Sequence, residues 1–167
     1  SMASQNSIIS LASLRLANVY GPSLNESKAD DRGILSKVTK TRFAGGNLQV
    51  FGNGSYLRDY VYIDDVVNAF IHASVTEKAE STFNVASGIS TTVKDAFNLI
   101  SIEVEKITGV SGFAENVEWP KDVNRIEKRN YITSFEKIKS VAGWSPKISL
   151  EEGIRRLVMH YSKGYKK

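Results

Sequence analysis

Cysteine is absent from this 167-residue chain, which excludes disulfides and thiolate metal sites. Proline is scarce, with three residues, and the two histidines, His72 and His160, stand far apart and in no metal-ligand spacing. No apolar run approaches the roughly 20 residues needed to span a bilayer, so no membrane association is expected. The first residues, Ser1 to Asn6, carry no basic stretch followed by an apolar one. They do not read as a signal peptide, and a cytoplasmic location is the default expectation. The chain also lacks a glycine-rich strand–turn–helix opening, so no dinucleotide fingerprint is present.

What is present is ordinary for a globular protein: 41% hydrophobic and 24% charged residues. The length suits one domain, or one and a fraction, and is enough to bury a real core. The net charge is +4, and Lys163, Lys166 and Lys167 at the tail supply most of it. No basic stripe or nucleic-acid motif accompanies the charge, so no nucleic-acid partner is expected. A modest positive balance suits a small anionic ligand.

Alternation and β-branched residues predict a strand over Ile8–Leu16, ended by the Gly21-Pro22 break. Ser23 to Arg32 is polar and aperiodic and reads as a loop. A helical pattern covers 33–44, with Gly45-Gly46-Asn47 closing it. Strands are expected over Leu48–Phe51 and Arg58–Ile63, joined by a turn at Gly52–Gly54. A helix to Ser74 follows, capped by Asp64 or Asp65. Thr82–Ala86 and Phe113–Val117 read as strands. Thr92-Val93-Lys94-Asp95 and Ser149-Leu150-Glu151-Glu152 read as capping boxes opening helices to about Thr108 and Lys163. Between them lie a charged loop from Trp119 to Asn130 and a short helix, Ser134 to Val141. The order is mixed α/β.

The stretch from Leu48 to Asp65 carries the most information. It reads as two strands around an Asn-Gly turn, with Arg58 among aromatic and β-branched residues. A guanidinium forks onto phosphate oxygens with two parallel bonds, and a ring such as Phe51 offers a face to a base. The competing reading pairs Arg58 with Asp59 or Asp64 and buries Phe51 in the core. Arg125, Lys128 and Arg129 form a second cationic group, either a further anion contact or a solvated basic loop. Asn18 lies just past a strand end, where ligands bind in α/β sheets, or else supports its own turn. Asp64-Asp65 as an acid/base pair is outweighed by helix capping. Trp144 reads as a packed structural aromatic and His72 as a packed or exposed helix residue.

Several motifs together resemble a known family. Leu14-Arg15-Leu16-Ala17-Asn18-Val19-Tyr20-Gly21-Pro22, Val50-Phe51-Gly52-Asn53-Gly54 and Arg58-Asp59-Tyr60-Val61-Tyr62-Ile63-Asp64-Asp65-Val66-Val67 are similar to the extended short-chain dehydrogenase/reductases. These are the NAD-dependent nucleotide-sugar epimerases and dehydratases. Phe83-Asn84-Val85-Ala86-Ser87-Gly88 resembles the family's last sheet strand. Gly143-Trp144-Ser145-Pro146 with Ser149-Leu150-Glu151-Glu152-Gly153-Ile154 resembles its C-terminal signature. The motifs run in order from about Ile8 to Tyr161.

The resemblance implies a Rossmann-type fold and a nucleotide-diphosphate sugar as ligand. It implies that Arg58 and Arg125 contact the diphosphate, with Lys128 or Arg129 as alternates to Arg125. Asn18 would lie near the substrate, Val50 and Phe51 would wall the base pocket, and Leu16 and Ala17 would pass the nicotinamide. The family's glycine-rich loop and Tyr-x-x-x-Lys are not found at matching positions, so no catalytic residue is assigned. The expectation is therefore a C-terminal portion: Rossmann strands at about 8–22 and 58–88, interleaved with a substrate lobe at about 23–57 and 89–167. NAD or NADP would serve the complete enzyme, and this chain alone would bind none. The alternative is a non-catalytic module that pairs with a separate N-terminal half or self-associates through strand edges.

Overall fold

The structure is a computed structural model and describes residues 11–22, 33–76 and 81–164. The expected loop at Ser23–Arg32, the start of the first expected strand and the last two lysines lie outside the described residues.

The fold is mixed α/β. Strands β1 (Ala12–Leu16) and β2 (Asn18–Tyr20) are followed by α1 (Ile34–Phe43), β3 (Leu48–Phe51) and β4 (Leu57–Tyr62). Next come α2 (Ile63–Ser74), β5 (Ser81–Val85), β6 (Ser90–Thr92) and α3 (Val93–Thr108). Then follow β7 (Ala114–Val117), a 3-10 turn over Arg125–Lys128, α4 (Glu136–Ala142) and α5 (Leu150–Ser162). Strand β1 runs parallel to β5, β2 and β6 flank β4, and β3 runs parallel to β7.

The single strand expected to reach Leu16 and stop is in fact two. At Ala17 the chain leaves β5 and joins β4, and the Ala17 amide still donates to the Val85 carbonyl at 2.9 Å. A change of strand partner opens a crevice beside the sheet, and α/β ligands bind in such crevices.

The expected hairpin across Gly52–Gly54 does not form. Strand β3 pairs with β7 and β4 pairs with β2 and β6, so the two strands part after the turn. A turn motif fixes local bending, whereas pairing goes to whichever edge buries the apolar faces. Leu48 and Val50 of β3 are buried in one core with Ala114 of β7.

Strand β4 divides two cores because side chains alternate along a strand. Tyr60 and Tyr62 pack with Tyr20, Phe97, Ile100, Ile154 and Leu157. Val61 points the other way, to Val66, Phe83, Val85, Ile138 and Trp144. Arg58 therefore shares a face with Tyr60, and Asp59 takes the opposite one.

Both capping boxes form at their N-caps: Thr92 Oγ accepts from the Asp95 amide and Ser149 Oγ from the Glu152 amide. Neither Asp64 nor Asp65 caps α2, which begins at Ile63 with Tyr62 at the N-cap and no side-chain bond. Asp64 and Asp65 sit in the first turn, where negative charge complements the helix dipole. Asp65 is buried and accepts from the amides of Lys147 and Ile148, while its carbonyl accepts from Trp144 Nε1 at 3.0 Å. Trp144 is structural, as its burial in the second core shows. His72 holds the Ala142 carbonyl through Nδ1 at 2.9 Å and does packing duty.

Candidate functional site

The described residues enclose a cavity of about 750 Å³ where the β1–β2 switch, β3, β4 and the Trp119 segment converge. Ala17, Asn18, Val50, Phe51 and Arg58 all line it. Five of the seven residues expected at a site thus line one cavity, although they come from three separate stretches of chain. Leu16 and Arg125 are not among the lining residues. Leu16 is 41% exposed at the end of β1, next to Ala17. Arg125 lies on the exposed 3-10 turn.

Asn18 donates its side-chain amide to the Asp59 carbonyl at 3.1 Å, which ties β2 to β4 at the cavity edge. Val50 is buried in the wall, and Phe51, one residue on, turns outward. Phe51 is not a core residue: its ring stacks on Trp119 with centroids 5.2 Å apart. Tyr56 meets the same indole edge-on at 5.7 Å, and Lys128 lies over it at 5.5 Å. Gly52 is what lets Trp119 close down, because a Cβ there would come within 2.7 Å of the indole nitrogen.

Arg58 pairs with neither Asp59 nor Asp64. The Asp59 carboxylate accepts from the Ser87 amide and hydroxyl and from the Gly88 amide, and Asp64 pairs with Arg156 at 3.5 Å. Arg58 instead donates to the carbonyls of Leu57, Glu127 and Arg129, and faces the Glu127 carboxylate at 4.0 Å. Its side chain is 16% exposed. The N-terminal end of α1 also faces the cavity through Gly33 and Ile34 and has no side-chain cap among the described residues, and a helix N-terminus favours an anion. Tyr60, on the same wall, is pushed up to about 12 by burial, with Arg58 pulling the other way. A phenol held neutral to that degree is a poor proton acceptor.

Trp119, Tyr56, Tyr60 and Glu127 were not singled out as site residues by the sequence. A tryptophan beside cationic residues in a loop was the available signal for Trp119. Glu127 had none.

The fold and this cavity together define an α/β protein with a largely apolar, aromatic-walled crevice, carrying Asn18 and Arg58 in its lining, beside a strand switch. Residues 4–157 match the family model described as GDP-mannose 4,6 dehydratase. The chain belongs to that family, within the NAD-dependent epimerases and dehydratases of the extended short-chain dehydrogenase/reductases. It is similar to a UDP-glucose 4-epimerase of Mycolicibacterium smegmatis, with 30% identity over 85% of this chain and 42% of that one. It is also similar to a solved UDP-glucose 4-epimerase of Thermotoga maritima with UDP-glucose. That structure shows 34% identity and a TM-score of 0.78 over 93% of this chain and 47% of the other. A Thermus thermophilus UDP-glucose 4-epimerase in complex with NAD gives 25% identity and a TM-score of 0.70, covering 92% and 47% of the two chains. The chain spans less than half the length of these relatives.

Among the described residues no helix is long and apolar enough to cross a membrane.

Proposed function

We propose that this chain is the nucleotide-sugar-binding portion of an NAD-dependent nucleotide-sugar epimerase or dehydratase. One observation carries the reading: a single cavity gathers Asn18, Val50, Phe51 and Arg58 from separate elements. A base would meet the aromatic wall, the diphosphate Arg58, and the sugar the Asn18 end. Arg125, exposed beside the cavity on the 3-10 turn, is the second diphosphate contact in this reading.

The cofactor fits only in part. Exposed Leu16 and cavity-lining Ala17 make an apolar strip suited to one face of a nicotinamide ring. When bound, the nicotinamide takes up and returns a hydride. This chain's residues would orient the sugar against it and exclude water. Proton transfer and the grip on the cofactor's phosphates are assigned to the remainder of a longer enzyme or to a partner chain. Tyr60, the buried tyrosine of the cavity wall, is held too firmly neutral for the base role.

Calorimetric titration with UDP-glucose and dTDP-glucose tests the reading. Binding to the wild type should weaken at least about tenfold in Arg58→Ala, the loss of one charge-assisted contact. It should weaken less in Arg125→Ala. Unchanged binding in both variants would sink it.

A further inference from the structure

Arg58 is already occupied, and by the chain itself. Residues 119–131 run beside the cavity, with Trp119, Pro120, Val123 and Glu127 in its lining. Nη1 donates to the Arg129 carbonyl and Nη2 to the Glu127 carbonyl at 2.7 Å, with the Glu127 carboxylate 4.0 Å away. At the other end of the same segment Trp119 covers Phe51. Two backbone-anchored bonds then tie the segment to the start of β4. The Leu57 amide donates to Asn130 Oδ1 and the Tyr131 amide to the Leu57 carbonyl, each at 2.9 Å.

These contacts fall into two kinds. The bonds at Leu57 lie at the start of β4 and use neither the Arg58 guanidinium nor the Phe51 ring. The contacts at Glu127, Arg129 and Trp119 take up the guanidinium and the ring that the reading above gives to a ligand. We propose that residues 119–129 form a strap, hinged at Asn130–Tyr131, whose Glu127, Arg129 and Trp119 contacts compete internally for Arg58 and Phe51 until a nucleoside diphosphate exchanges for them, with Arg125 of the released strap then free to meet the diphosphate. The inference rests on Arg58 being a diphosphate ligand.

The chemistry favours exchange by a diphosphate and not by a neutral nucleoside. A diphosphate offers the guanidinium charged oxygens that can take two parallel bonds, where each carbonyl is a neutral acceptor taking one. The Glu127 side chain is 60% exposed and its ion pair with Arg58 is long, so it holds the strap weakly. A nucleoside offers a base to Phe51 but nothing to draw the guanidinium from two carbonyls. The strap therefore makes the site selective for ligands that carry phosphate.

UDP and uridine, titrated by calorimetry and followed by trypsin cleavage after Lys128 mapped by mass spectrometry, test this. Glu127→Gln should bind UDP about two- to fivefold more tightly than the wild type, the yield of one exposed ion pair removed. That gain should vanish when Arg58→Ala is added. UDP should speed cleavage after Lys128, and uridine should not. Without ligand, Arg58→Ala should speed the same cleavage. If that ligand-free cleavage is unchanged, the strap is refuted whatever the nucleotide does. If UDP binds through Arg58 but Glu127→Gln binds it no more tightly, the strap is refuted and the nucleotide site stands. If neither UDP nor the nucleotide sugars bind the wild type or Glu127→Gln, the nucleotide reading falls and takes the competitor role with it.

Discussion

Gly153 sits inside α5, where alanine is normally the better residue by about 1 kcal/mol. Local propensity therefore predicts that Gly153→Ala stabilises the protein. The packing predicts the opposite. Helix α5 lies so close to β2 and β4 that a Cβ at 153 would overlap the Tyr20 hydroxyl, with Tyr20 Cζ at 2.7 Å and Tyr62 Cδ2 at 2.9 Å. Neither ring can turn aside cheaply. Both are buried, packed edge to face 5.4 Å apart, and Tyr20 Oη lies 3.4 Å from the carbonyls of Ser149 and Leu150. The helix must shift outward instead, and overpacking of this kind costs about 1–3 kcal/mol. Set against the helix gain, the net loss is up to about 2 kcal/mol. For a chain of this size that lowers Tm by up to roughly 8 °C. Thermal unfolding followed by circular dichroism measures it. The double variant with Tyr20→Phe, which removes the most crowded atom, should lose less than the sum of the two single variants. A rise in Tm for Gly153→Ala would show that α5 does not pack on these tyrosines as described.

Three further outcomes follow from the same contacts. Asp59→Ala leaves the Ser87 and Gly88 amides without their carboxylate and should destabilise by about 3 kcal/mol, read from urea midpoints. Ser149→Ala removes the α5 N-cap and should cost about 1 kcal/mol in the same assay. Burial raises the Tyr60 pKa from 10.0 to about 12, so the folded state keeps a proton that the unfolded state sheds. Stability should be flat below pH 10 and fall between pH 10 and 12, by about 2–3 kcal/mol from this group. Tyr20, raised further by burial and by Tyr62, acts in the same direction. Tyr60→Phe should flatten the decline, and an equal slope in that variant would contradict the assignment.

Most helices and strands were legible because their signals are local. Val93, Phe97, Ile100 and Val104 repeat at helical spacing, and Thr92 and Ser149 stand where their hydroxyls can reach the third amide onward. Strand β6 was not legible: Ser90, Thr91 and Thr92 have no apolar alternation, and the strand exists because β4 offers an edge to it. The false hairpin has the same cause, since pairing partners are chosen across the chain. For the site, the motif residues Asn18, Val50, Phe51 and Arg58 line one cavity. Trp119 and Glu127 were not legible because their places depend on where a loop folds back; cationic neighbours marked Trp119, whereas nothing marked Glu127.

The pairing of β1 with β5 also sets a timetable. Ala12 faces Ser81, and Leu48 of β3 faces Ala114 of β7. At a synthesis rate of about 5–20 residues per second, the first strand waits roughly 3–14 seconds for its partner to be made. The second waits almost as long. No described strand pairs with one joined to it by a tight turn, so no sheet can start as a hairpin while the chain emerges. Topologies closed by distant contacts fold slowly, because loop-closure entropy is lost before any ladder forms. The Val- and Leu-bearing edges of β1 and β3 are therefore held open longest during biogenesis. The same crossing that assembles the crevice from four stretches of chain makes it among the last parts of the molecule to exist.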